Sequence, residues 1–256
     1  MGNASGLMRR SNYLTTPLDP GGMLPHDDRH HLSKGGSWMS KFPRYVVAAG
    51  AVLTVAGAAG TALAHHPMGG ATPSNLAEGL LSGIGHPVIG VDHLAFIIAV
   101  GIAAAFTPRS WLSPLAFVAA TVIGCLFLVG GVMLPAAEFV ISASVVVVGA
   151  AILSGRGLPA SAYAALFAVA GLFHGWAYGE AIVGAESTPL LAYLVGFAVT
   201  QYLIALGVSK IVQATVKAGP EGLPLWRQVG PRLAGAVVAG VGLAFFLEAV
   251  EGAVFA

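Results

Sequence analysis

The side chains able to do chemistry gather first in GIGHPVIGVDHLAFIIAVG, residues 83–101, where His86, Asp92 and His93 open an otherwise apolar run. Imidazole offers a nitrogen lone pair, and a carboxylate offers charge and oxygen. The combination suits borderline divalent ions such as Ni, Co, Zn or Cu, whereas all-oxygen sites suit Mg or Ca. Further along the chain come Glu138 with Ser142, then His174 with Tyr178 and Glu180, and finally Glu248 and Glu251. On one continuous helix His86 and His93 would share a face. They would also stand roughly 10 Å apart along the axis, too far for one ion with ligand distances near 2 Å. Either they form successive stations, or Pro87 and Gly90 loosen the first turns. Asp92 points about 100° away from His93 and could ligate, attract a cation or pair with a neighbouring helix.

The elements that must position these groups are membrane helices. The chain has 256 residues, 56% hydrophobic and only 9% charged, against about 25% charged in soluble domains. The expected fold class is all-α: a polytopic membrane protein with a six-helix transmembrane bundle after a cleaved signal peptide. Apolar runs at approximately 87–106, 112–131, 136–154, 159–182, 189–211 and 231–250 each come close to the roughly 20 residues that cross a bilayer as helix. Proline and glycine punctuate every connection. The single Cys125 lies in an apolar run, so there is no disulfide framework and no thiolate cluster. The net charge of +1 and the lack of a basic run point away from nucleic acid.

Residues 1–38 are polar and aperiodic, a disordered or upstream extension. Residues 39–64 have the form of a signal peptide: Lys41 and Arg44, a short apolar region over 46–61, and the A-x-A site Ala62-Leu63-Ala64. The alternative is an uncleaved first transmembrane helix. Residues 65–85 would be a periplasmic segment and 86–256 the six-span domain. Cleavage after Ala64 would expose His65 and His66, with Met68 close by. That end could capture a metal ion, or it is an ordinary flexible terminus. The nitrogen donors suit nickel or copper(II), and the thioether copper(I).

The positive residues set the direction. Arg109, Arg156, Lys210, Lys217, Arg227 and Arg232 all fall in the first, third and fifth connections or at their edges. Those connections are expected in the cytoplasm, with both mature termini periplasmic in a bacterial inner membrane. His86, Asp92, His93, Glu138, Ser142, His174, Tyr178, Glu180, Glu248 and Glu251 then share one depth, below the outer surface. A charge in hydrocarbon costs at least ~2.5 kcal/mol, and such residues mark ion or substrate paths. Any one of them could simply pair with another; the set points to a cation site. The glycines at 171, 175 and 179 form a small-xxx-small stripe, suited to close helix packing.

His86-Pro87-x-x-Gly90-x-Asp92-His93-Leu94 resembles the HPxxGxDHL signature of the HupE/UreJ family. Glu138-x-x-Ile141-x-x-Ser144-Val145 is similar to that family's acidic third-span segment. Phe173-His174-Gly175-Trp176-Ala177-Tyr178-Gly179-Glu180 is similar to the first eight positions of FHGxAHGxE, and Arg232-Leu233-Ala234-Gly235 opens the last span as in the family. The resemblance covers essentially all of 65–256. It implies a small permease that supplies nickel to hydrogenase or urease, with cobalt uptake in related members. Tyr178 stands where the family often has a second histidine, and a span-5 histidine is replaced near Ile204. The loss of two nitrogen donors implies altered affinity or a different ion.

The function expected is secondary uptake of a divalent transition metal, nickel first, with cobalt or copper as alternatives. His86, Asp92, His93, Glu138, His174 and Glu180 are the metal residues; Ser142 and Tyr178 support them. No cofactor is permanently bound, and Ni2+ (or Co2+ or a copper ion) is cargo. The expected partners are the metal ion, the lipid bilayer and a metallochaperone or metalloenzyme maturation factor; nucleic acid and nucleotide are not, since GxxxxGK[ST] is absent. An intramembrane metalloenzyme is the weaker alternative, because HExxH and GxSxG are absent. A non-transporting, metal-binding accessory protein is the other.

Overall fold

In the computed structural model, residues 71–217 and 223–255 are described. Their regular structure is all helical: α1 (Leu76–Ile89), α2 (Val91–Ala105), α3 (Ser113–Val129), α4 (Ala137–Leu153), α5 (Ala160–Gly179), α6 (Ser187–Lys217), a 3-10 turn (Leu225–Arg227) and α7 (Val229–Phe255). The expected extension at 1–38, the signal segment at 39–64, and His65 and His66 lie outside the described residues.

Five of the six predicted spans correspond to one helix each, but the first does not. Instead of a continuous span over 87–106, helix begins at Leu76, ends at Ile89 and restarts at Val91. The two segments are bent by 79° at the break. Three helices, α5, α6 and α7, are long and apolar enough to cross a bilayer, or four spans if the bent pair counts as one. Helices α3 and α4 have 17 residues each, at the short limit for a span. The expectation of six full-length crossings is therefore met only in part.

The break has a local cause. Pro87 lies inside α1 and cannot donate a backbone hydrogen bond. Gly90 follows in extended conformation, with φ −73° and ψ 108°, and its carbonyl accepts from the Leu94 N–H at 2.8 Å. A Cβ on Gly90 would lie 2.9 Å from Cδ2 of His93, so the ring occupies the space a side chain would need.

Helix α2 is the centre of the bundle. Phe96, Ile97, Ala99, Val100 and Ala103 are wholly buried, packed with Phe117, Val145, Phe167 and Ala205 from four other helices. Around it, three helix pairs meet backbone to backbone through glycine. Gly79 and Gly83 of α1 face the carbonyls of Pro189 and Tyr193 on α6; Gly124 of α3 and Gly175 of α5 face Leu172 and Thr121; Gly149 and Gly242 join α4 to α7. The 171/175/179 stripe thus packs inside this chain, against α3. On α6, Leu191, Val195, Val199 and Leu203 are exposed at four-residue intervals. Such an apolar strip is costly in water and natural against lipid.

A Cβ at Gly175 would run into the Thr121 carbonyl, whereas one at Gly207 would meet nothing within 4 Å. Gly175→Ala should therefore lower the unfolding temperature of detergent-purified protein or remove the folded fraction. Gly207→Ala, gaining about 1 kcal/mol of helix propensity, should hold or raise it. Equal melting curves for the two variants would contradict the packing role.

Candidate functional site

One cavity of about 810 Å³ opens at the end of the bundle where α2 and α4 begin and α5 and α7 end. His86, Asp92, His93, Glu138, Ser142 and Glu180 line it, joined by Glu248 of α7, with Trp176, Phe139 and Phe245 among its apolar walls. Among the described residues that line it, none is Lys or Arg. Four carboxylates facing one concave space favour a negative potential, which low-dielectric walls focus.

The break at Gly90 brings the two motif histidines together. His86 sits in the last turn of α1 and His93 in the first turn of α2. Their ring centroids are 6.4 Å apart, closer than the helical repeat alone predicts. Both are buried, at 1% and 3% exposure, and Asp92 is 8% exposed. The Asp92 Oδ2 atom lies 3.9 Å from Nδ1 of His93. Its Oδ1 atom is buried and has no hydrogen-bond partner among the described residues. An unsatisfied buried carboxylate oxygen is rare and calls for a partner such as an ion.

His174 is placed differently from the expectation. It is fully buried and stands behind His93 rather than among the residues lining the cavity. Its Nδ1 is 2.8 Å from Nδ1 of His93, and its Nε2 is 3.0 Å from Oγ of Ser144. Glu138 in the first turn of α4 and Glu180 capping α5 are both exposed, at the mouth. Tyr178 is wedged beside the histidines, with ring centroids 4.9 Å from His86 and 4.3 Å from His93. Its hydroxyl is buried without a hydrogen-bond partner among the described residues.

Two partners were given no role in the sequence analysis. Tyr193 of α6 has its hydroxyl 2.8 Å from Nδ1 of His86; nothing in a tyrosine 107 positions away signals that contact. Ser144 had a signal, since it stands in the third-span motif Glu138-x-x-Ile141-x-x-Ser144-Val145, which named no partner for it. Among the described residues, no three His, Cys, Asp or Glu side chains stand together so as to hold one ion. In this conformation the donors line the cavity without closing on a common centre.

The comparisons with known proteins follow the same motifs. The family described as HupE / UreJ protein matches residues 52–245. The chain belongs to the HupE/UreJ family. A curated relative, Protein HupE of Rhizobium leguminosarum bv. viciae, is 30% identical over 174 residues, 67% of this chain and 86% of its own length. No solved structure matches. The HupE/UreJ family is a family of membrane transport and accessory proteins associated with nickel or cobalt uptake and with hydrogenase or urease maturation. Its membership and the apolar helices make this chain a multi-pass membrane protein.

A buried hydroxyl with no partner costs about 1–3 kcal/mol. Tyr178→Phe should therefore leave the unfolding temperature unchanged or raised, read by thermal denaturation in detergent. A marked loss of stability would mean that the hydroxyl has a partner essential to the fold.

Proposed function

We propose that this chain is a secondary permease that takes up a divalent transition-metal ion, nickel in the first instance, across the bacterial inner membrane. The observation that carries this reading is the orphaned Oδ1 of buried Asp92, set beside two histidines in a cavity walled by carboxylates. A dication entering there would gain the attraction of the carboxylates. It would also supply the buried oxygen with the partner it lacks. His86 and His93 add the nitrogen donors that favour nickel, cobalt or copper over magnesium or calcium.

The direction rests on charge. The cavity lies at the end where α2 and α4 begin, and Arg109, Arg156 and Arg232 lie in or beside connections at the opposite helix ends. Positive residues favour the cytoplasmic side, so the cavity faces the periplasm and the mature termini lie there too. Glu138, Glu180 and Glu248 at the mouth attract the ion; His86, Asp92 and His93 receive it. Segments 39–64 and 65–66 act, on this reading, as a cleaved signal peptide and a metal-capturing terminus. A metal gradient, or a cytoplasmic metallochaperone that consumes the ion, drives flux.

Liposomes holding only this protein should accumulate radioactive Ni2+, with Co2+ and Cu2+ tested as competitors. Asp92→Asn, which keeps the shape and removes the charge, should cut uptake at subsaturating Ni2+ at least ~10-fold, the scale of a lost charge-assisted contact. His93→Ala should abolish it in protein that still elutes as a folded species. Undiminished uptake in both variants would sink the site. Binding without flux would favour a metal-holding accessory protein.

A further inference from the structure

Two short hydrogen-bond chains run from the cavity histidines to backbone carbonyls, and a carbonyl can only accept. The Tyr193 hydroxyl oxygen lies 2.7 Å from the carbonyl oxygen of Tyr178. Two oxygens that close need a proton between them, and only the hydroxyl has one to donate. The hydroxyl is then left as acceptor toward Nδ1 of His86, 2.8 Å away, so that nitrogen must carry the proton.

The second chain has the same logic with one more member. Ser144 Oγ is 2.6 Å from the Ile141 carbonyl oxygen, so its proton is directed there. Ser144 must accept from Nε2 of His174, at 3.0 Å. A neutral imidazole carries one ring proton, so Nδ1 of His174 is bare. The 2.8 Å contact between Nδ1 of His174 and Nδ1 of His93 also needs one proton, and His93 supplies it.

From these two chains we infer that Tyr193, His174 and Ser144 are positioning residues that set the tautomers of the cavity histidines. His86 and His93 both take the Nδ1–H form, so Nε2 is the ring nitrogen of each that could bind an ion. His174 engages both of its nitrogens within the protein and is not a ligand. This rests on the permease reading for its purpose, but not for its geometry. It also narrows the site: the nitrogen donors to cargo number two, on either side of the break at Gly90. Ring orientation set by an outer hydrogen bond is a general feature of metal-binding histidine. Here the outer bonds end on helix backbone rather than on a carboxylate.

The test is long-range 1H–15N spectroscopy of the full chain, metal-free and histidine-labelled in detergent, assigned through single His→Gln variants. His86 and His93 should appear as Nδ1–H tautomers and His174 as Nε2–H. Tyr193→Phe should release His86 from its tautomer, and Ser144→Ala should release His93. Each should weaken Co2+ binding, measured by titration, by about 10–100-fold, the usual effect of losing such a partner. Ser144→Thr, which keeps the hydroxyl, should restore both signals. An Nε2–H signal from His86 or His93 in the unsubstituted protein would overturn the inference. So would Ser144→Ala with unchanged tautomers and unchanged Co2+ affinity. The predicted tautomers in a protein whose liposomes take up no Ni2+ or Co2+ would uphold the inference and remove the permease reading.

Discussion

The structure turns on the interruption of helix at Gly90. A single straight helix through 76–105 would place His86 and His93 on one face but roughly 10 Å apart along the axis, too far to serve one ion. The 79° bend redirects the chain between them, so that the C-terminal turn of α1 and the N-terminal turn of α2 meet the same cavity. Such a break exposes backbone groups, and non-helical backbone at membrane depth is tolerated only where protein or a water-lined cavity shelters it. Gly90 is buried and leaves room for the His93 ring, while both halves are held against α6 through Gly79, Gly83 and Gly101. The long helix α6, at about 46 Å by its length, is the strut on which the two halves are splinted.

Helix ends then shape the field inside the cavity. N-termini carry partial positive charge and C-termini partial negative charge. Helices α2 and α4 begin at the cavity, which by itself would repel a cation, but Asp92 and Glu138 occupy their first turns and reverse the sign there. Helices α5 and α7 end at it, and Glu180 and Glu248 add full charges beside those ends. The apolar walls, Trp176, Phe139 and Phe245, keep the dielectric low. On the permease reading, these carboxylates would attract a dication at the mouth. Deeper in, the same reading would bring the ion to the carboxylate of Asp92, whose buried Oδ1 has no hydrogen-bond partner among the described residues and whose burial cost a cation would offset.

Fold and site share one economy of space. Glycine at each helix crossing brings backbones into direct contact, so the packing is rigid where it matters. The α3–α5 pair, closed by Gly124, Gly171 and Gly175, fixes the helix that carries His174. The α4–α7 pair, closed by Gly149, Gly235 and Gly242, fixes the helix that carries Ser144. The His93–His174–Ser144 chain spans three helices and depends on those crossings.

Much of this was legible in the order of residues. The share of apolar side chains forces helices into lipid, because hydrocarbon offers no other partner for the backbone. The motif His86-Pro87-x-x-Gly90-x-Asp92-His93 pointed to the family that the family match bears out, and it named the donors, since imidazole and carboxylate are the same groups in any fold. Proline and glycine between the two histidines even signalled that their helix would loosen. What local sequence could not decide was which distant groups would meet. Tyr193 and Ser144 are ordinary residues whose roles exist only through helix contacts formed across many intervening positions. His174 looked like a ligand by type, yet tertiary packing spends both of its nitrogens inside the protein. Residue type sets what a side chain can donate or accept; only the folded arrangement of helices decides to whom.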